Sequence, residues 1–226
     1  MPEWLKLMVE SLPPLLYAGL VFTVPLTLLS FAFGLSLGFV TALVRLYGPK
    51  PLADGFRFYV WLIRGTPLLV QLFLIFYGLP KAGIVFDPLP AAVIGFSLNV
   101  GAYTSEVIRA ALLAVPRGQW EAAYSIGLTW AQAMRRTILP QASRVAVPPL
   151  SNTFISLIKD TSLAAVLTVP EIFQAAQRIA SVTYEPLILY TETALIYLAF
   201  SSVLSAGQQK LEARFGQHLH QAQETK

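Results

Sequence analysis

In this chain of 226 residues, 55% of side chains are hydrophobic and only 12% charged, whereas soluble domains carry about 25% charged residues. Its mean hydropathy of +0.61 points to a membrane. The absence of cysteine excludes a disulfide framework and a thiolate metal site. The net charge of +4 and the pI near 9.4 do not mark a nucleic-acid binder, because the basic residues form no single stripe.

The N-terminus does not read as a cleaved signal. Glu3 and Glu10 accompany Lys6, and the apolar run that follows is far longer than a signal core. Residues 12–44 hold no charge at all. A span needs about 20 apolar residues, so this run predicts one tilted helix with an interfacial lead-in, or a bent one. Pro13, Pro14 and Pro25 favour the lead-in and the bend, and Gly34 and Gly38 form a G-x-x-x-G pair that admits a second helix.

A second span is predicted over residues 58–79. "RGTP" at Arg64 to Pro67 lies within it, where glycine and proline unwind a helix and free backbone groups to meet a ligand. Thr66 belongs to that stretch, and Gln71 lies one to two turns on. The third span, residues 89–113, carries Asn99, Tyr103 and Glu106 at i, i+4, i+7 on one helix face. Such groups are expensive in lipid and face the bundle interior. They line a substrate pathway or form a hydrogen-bonded seam between helices.

Residues 117–132, "RGQWEAAYSIGLTWAQ", read as a helix, with Trp120, Tyr124 and Leu128 recurring every four residues. Ala122, Ala123 and Gly127 keep its other faces slim, and Glu121 near its start suits the helix dipole. Either it inserts into a groove of another protein or it lies in lipid headgroups. The fourth span, residues 139–158, is expected to break at Pro148-Pro149, with Asn152 one turn later. Lys159, Asp160, Thr161 and Ser162 follow at its outer end. They offer a zwitterion both a cation and an acceptor, and equally they form a gate or mark the interface. Residues 170–181 predict an amphipathic helix with Ile172, Phe173, Ala176 and Ile179 on one side. It either meets a partner or plugs the bundle. A fifth span, residues 186–204, contains Glu192, and the tail holds His218 and His220, to which no metal role is assigned.

Positive charge sets the sides. Arg45, Lys50 and Arg57 follow span one; Arg109, Arg117, Arg135 and Arg136 follow span three; Lys210, Arg214 and Lys226 follow span five. The opposite loops hold only Lys6, Lys81, Lys159 and Arg178. The N-terminus is therefore expected outside and the C-terminus in the cytoplasm, with residues 117–132 cytoplasmic. No G-x-x-x-x-G-K-[ST] motif occurs, so nothing here cradles ATP phosphates. No nucleophile elbow, metal-ligand cluster or paired carboxylates support an enzyme.

"EAAYSIG" with the downstream "LP" resembles the EAA signature of binding-protein-dependent ABC importer permeases. That signature runs E-A-A, three residues, G, nine residues, I, one residue, L-P. Glu121, Ala122, Ala123, Gly127, Leu139 and Pro140 match in register, while Thr137 stands where the pattern has Ile, with Ile138 one place later. "RGTPLLVQLFLIFYGLP", "AYTSEVIRAALLAVPRGQWEAA" and "ILPQASRVAVPPLSNTFISLIKDTSL" are similar to polar amino-acid permeases of the histidine/glutamine type.

The resemblance implies an all-α, polytopic MetI-like bundle of five transmembrane helices forming one domain over residues 1–226. It implies a permease in the inner membrane working by alternating access, with a second permease subunit, two ATP-binding subunits that carry ATP and Mg, and an extracytoplasmic amino-acid-binding protein. Surrounding lipid completes the partners, and no cofactor sits on this chain. The helix around Gly118, Trp120, Glu121, Ala122, Ala123, Tyr124 and Gly127 is then the coupling helix. Asp160 and Thr161 are favoured for the pathway. The competing expectation is a stand-alone proton-coupled secondary transporter or channel relaying protons through Glu106, Asp160 and Glu192.

Overall fold

The computed structural model describes the backbone of residues 2–221 and the side chains of residues 2–210. His218 and His220 lie outside the described side chains. Helix α1 (Glu3–Ala18) passes through a wide turn at Gly19–Thr23 into α2 (Val24–Tyr47). The result is one continuous helix of 45 residues, about 67 Å long at 1.5 Å per residue.

Pro13 and Pro14 lie inside α1, so the run is helical from Glu3 onward. The carbonyls they leave without a helical donor are those of Val9 and Glu10, both exposed. The bend expected at Pro25 is a wide turn instead. Val24 N–H donates to Gly19 O, five residues back, immediately before the proline. A proline ring clashes with the carbonyl four residues behind it, and widening the turn by one residue moves that carbonyl aside. The same device precedes Pro80, where Leu79 N–H donates to Leu74 O, and Pro140, where Leu139 N–H donates to Met134 O.

Helix α3 (Lys50–Arg64) ends at Gly65, and α4 (Leu68–Phe73) begins after Pro67. Residues 50–64 and 68–82 meet at 107°. What reads in sequence as a single span of residues 58–79 is thus a sharply broken one. Helix α5 (Pro88–Ala114) runs unbroken through the centre. It is followed by the short α6 (Arg117–Ser125) and α7 (Trp130–Ala133), the latter opened by a capping box from Thr129 and Gln132.

Helix α8 (Leu139–Asp160) continues straight through Pro148 and Pro149. The break expected there does not occur; the carbonyls that lose their helical donors belong to Arg144 and Val145, both exposed. A tight helical segment, Thr161–Leu167, leads to α9 (Ile172–Thr183), inclined by 50° to the preceding helix, and then to α10 (Pro186–Gln221). Three helices are long and apolar enough to cross a membrane, or five if each bent pair is one crossing.

Three apolar clusters hold the bundle. Leu26, Leu72, Phe96, Val100, Leu157 and Leu167 form the centre. Ala42, Ile108, Leu112, Met134 and Ile138 join the ends of α2 and α5 to the start of α8. Leu15, Ile172, Ala176 and Ile196 seat α9 on α1 and α10. Gly34 and Gly38 let α2 pass directly over Val100, Gly101 and Thr104 of α5, so the G-x-x-x-G pair is a packing seam.

Two buried carboxylates tie the third cluster. Glu192 accepts from Ser11 Oγ at 2.5 Å, linking α10 to α1. Glu171, fully buried, caps α9 through Phe173 N at 2.9 Å and Gln174 N at 2.7 Å, and accepts from Tyr197 OH.

Candidate translocation cavity and coupling surface

A cavity of about 520 Å³ opens between the α3–α4 joint, α5 and α8. The joint contributes Thr66 and Pro67, α5 contributes Asn99 and Tyr103, and α8 contributes Asn152, Thr153, Ser156 and Asp160. Asn152, Ser156 and Asp160 recur every four residues, so they form a polar stripe along one face of α8. Asp160 is the one charged residue in this wall. Among the described residues none donates a hydrogen bond to its carboxylate or forms a salt bridge with it. The neighbouring candidates turn elsewhere. Thr161 is fully buried and donates to Ile158 O at 2.7 Å, Ser162 donates to Lys159 O at 2.7 Å, and Lys159 is exposed outside the cavity wall.

Arg64 and Glu106 lie beside the cavity, not in its wall. The Arg64 guanidinium sits 5.3 Å from the centroid of the Tyr103 ring, a cation–π contact. Its Nη1 is 4.0 Å from Glu106 Oε1. Glu106 is held more closely by Arg45 at 2.6 Å and by Arg109 at 2.7 and 3.0 Å. One carboxylate thus gathers three guanidinium groups from α2, α3 and α5. Arg45, counted in sequence only as a loop charge, is a structural partner that sequence separation conceals.

Gln71 does not line the cavity but is buried behind it. Its Nε2 donates to Ile63 O at 2.7 Å, Thr66 Oγ1 at 2.9 Å and Thr66 O at 3.1 Å, and its Oε1 accepts from Asn99 Nδ2 at 3.4 Å. Thr153 and Ser156 were missed as wall residues, although the four-residue spacing from Asn152 to Asp160 carries that signal.

The three carboxylates of a proton relay stand in separate surroundings. Glu106 is locked among arginines, Asp160 faces the cavity, and Glu192 bonds Ser11 between α1 and α10. No hydrogen bond among the described residues joins them.

The presumed single helix of residues 117–132 is two pieces. Helix α6 stops at Ser125, and Gly127 has φ +80°, the left-handed turn that glycine adopts without strain. Gly127 therefore ends the helix and is not one of its slim faces. Ala123 is buried against the chain itself, and Trp120 packs on the α2–α5–α8 cluster, with its ring 6.3 Å from Tyr47. Glu121, Ala122, Ser125 and Tyr124 remain exposed, as does Gly118, and Ile126 is 77% exposed. Gln141 Nε2 donates to Gln119 Oε1 at 2.9 Å and ties α6 to α8.

Residues 34–217 match the sequence profile of the family described as "Binding-protein-dependent transport system inner membrane component". This chain belongs to that family. The permease is 53% identical over 211 residues to the L-cystine transport system permease protein TcyB of Bacillus subtilis (strain 168), covering 93% of this chain and 90% of the relative. It is 44% identical to the probable amino-acid ABC transporter permease protein PatM of Vibrio harveyi, over 92% and 94% of the two chains.

Among solved structures, an amino acid ABC transporter with histidines superposes with a TM-score of 0.87 at 36% identity, covering 95% of the permease and 99% of that chain. The MetNI methionine ABC transporter in an inward-facing conformation superposes at 0.70 with 19% identity, over the same shares of the two chains, and shares the fold. The permease is thus a multi-pass, all-α membrane subunit of the MetI-like fold, related to permeases of ABC-type amino-acid importers. It is a transport subunit and not an enzyme.

Proposed function

We propose that the chain, as one transmembrane domain, is the membrane-spanning subunit of an ATP-driven, binding-protein-dependent importer of polar amino acids, and that substrate rests in the cavity before Asp160. The observation that carries this reading is the Asp160 carboxylate, the one charge in the wall of a polar cavity of about 520 Å³, to which none of the described side chains donates a hydrogen bond. A wall carboxylate with free acceptor positions pairs with a cationic donor, and the α-ammonium of an amino acid is such a donor. The amide and hydroxyl groups of Asn99, Asn152, Thr66, Thr153 and Ser156 surround the remaining polar atoms. Arg64, whose guanidinium lies 5.3 Å from the centroid of the wall residue Tyr103, is the cation assigned to a substrate carboxylate. Cystine heads the substrate panel because the cystine permease TcyB is 53% identical to this chain.

The broken α3–α4 joint fits a path opened and closed by alternating access. Energy enters from two ATP-binding subunits that carry ATP and Mg, against which α6 presents Glu121, Ala122, Tyr124 and Ser125, with Ile126 just past its end. A second permease subunit and an extracytoplasmic binding protein complete the assembly in the inner membrane. The N-terminus lies outside and the C-terminus in the cytoplasm.

The test is uptake by the reconstituted complex carrying Asp160→Asn. The ammonium loses its charged partner, and uptake falls at least about tenfold. Undiminished uptake by an assembled Asp160→Asn complex would refute the placement.

A further inference from the structure

The turn that breaks the α3–α4 span has a single buried side chain closing it. Gln71 is 7% exposed. Its amide nitrogen has two protons and meets three acceptors on the turn: Ile63 O at 2.7 Å, Thr66 Oγ1 at 2.9 Å and Thr66 O at 3.1 Å. Two of them are main-chain carbonyls, that of Ile63 in the last turn of α3, where no following helical turn supplies a partner, and that of Thr66 on the joint itself. Its amide oxygen faces the other way and receives Asn99 Nδ2 at 3.4 Å. Both Thr66 and Asn99 line the cavity, whereas Gln71 does not. One side chain thus fixes a cavity hydroxyl on the joint and a cavity amide on α5. Thr66 Oγ1 donates onward to Leu62 O at 2.9 Å, so its acceptor side is turned to Gln71.

We propose that Gln71 is a positioning residue for the substrate cavity: it holds the 107° joint and sets Thr66 and Asn99 in register across the wall. This rests on the cavity reading given above. Glycine and proline make the break possible, but they do not fix its angle, and Gln71 does so through hydrogen bonds that no apolar side chain replaces. Because two wall groups depend on it, its loss alters which amino acids are accepted as well as how fast they move.

The experiment uses the full complex in liposomes, with the binding protein omitted so that selectivity belongs to the permease. Binding of cystine, glutamine, arginine and glutamate is measured by displacement of one radiolabelled amino acid. Variants are Gln71→Leu, Gln71→Met and Gln71→Glu, with Asp160→Asn in parallel. Gln71→Glu keeps the acceptor for Asn99 but turns carboxylate oxygen toward the Ile63 and Thr66 carbonyls. The proposal expects the ratio of affinities between the best and second-best ligand to shift about tenfold in Gln71→Glu and Gln71→Leu.

Gln71→Met, of similar length and without donors, provides the same comparison if Gln71→Leu does not assemble. Unchanged ratios in Gln71→Glu, or in the assembled apolar variant, overturn the positioning role even if all affinities fall together. If Asp160→Asn also binds like the unsubstituted complex, the cavity reading itself has failed. If Asp160→Asn loses binding while the Gln71 ratios hold, the positioning inference fails alone.

Discussion

A methyl group added at Gly38 would lie 2.1 Å from Thr104 Oγ1, 3.0 Å from Gly101 O and 3.1 Å from Ser105 N. The hydroxyl is bonded to Val100 O at 2.8 Å and the other two atoms are backbone, so none of them yields easily. Gly127 is the opposite case: open space surrounds it, and only its φ of +80° excludes other residues. Gly38→Ala is therefore expected to cost about 1–3 kcal/mol through overpacking, and Gly127→Ala about 1–2 kcal/mol through backbone strain alone. Thermal unfolding of the detergent-solubilised chain reads the difference. Swapping in a bulkier Leu widens it, since Gly38→Leu worsens the clash and Gly127→Leu adds none. The G-x-x-x-G spacing is visible in sequence, but the helix it meets is not. Glu106 teaches the same lesson, because nothing local says that Arg45, 61 positions away, is its closest partner. Glu171, buried by α9, α10 and the turn before them, carries no mark in sequence beyond its place before a helix.

At the scale of elements, proline is informative only together with what surrounds it. The chain breaks after Gly65, which closes the last turn of α3 on Trp61 O, because the Pro67 ring disfavours the helical region for the residue before it and supplies no donor. Pro148 and Pro149 do not break α8, which runs on with the freed carbonyls on an exposed face. Three further prolines follow widened turns, a compensation that depends on neighbouring packing and so escapes a reading of the sequence. Helix α6 shows where side-chain type misleads. Trp120 has the character of an interface anchor yet spends its ring on the chain's own core, while Ile126 stands free just past the helix end. Trp120→Ala is expected to lower stability by about 2 kcal/mol, less than for a fully buried ring. Ile126→Glu is expected to leave the melting temperature unchanged and to reduce co-purified ATPase about tenfold. Loss of ATPase in neither variant would remove α6 from the contact.

For the whole molecule, composition and charge distribution make the membrane class legible, because hydropathy sums over residues and needs no contacts. The cavity was half legible. Thr66, Asn99, Tyr103, Asn152 and Asp160 were readable as polar groups inside apolar helices and share one wall, while Gln71, Arg64 and Glu106 stand behind or beside it. Which of them meet is a matter of helix packing, which single-chain periodicity does not specify. The proposed orientation is testable because the chain has no cysteine. A membrane-impermeant maleimide is expected to label Glu185→Cys in intact spheroplasts and Ser125→Cys only in inverted vesicles. The reverse pattern would invert the topology.

In the proposed function this chain forms a path powered by separate ATP-binding subunits. That dependence is tested most directly by amino-acid uptake into proteoliposomes holding the permease pair and the binding protein, with and without the ATPase. Uptake is expected to require both the ATPase and ATP and to ignore an imposed proton gradient. Uptake at an equal rate with the ATPase left out, driven by the proton gradient alone, would contradict it.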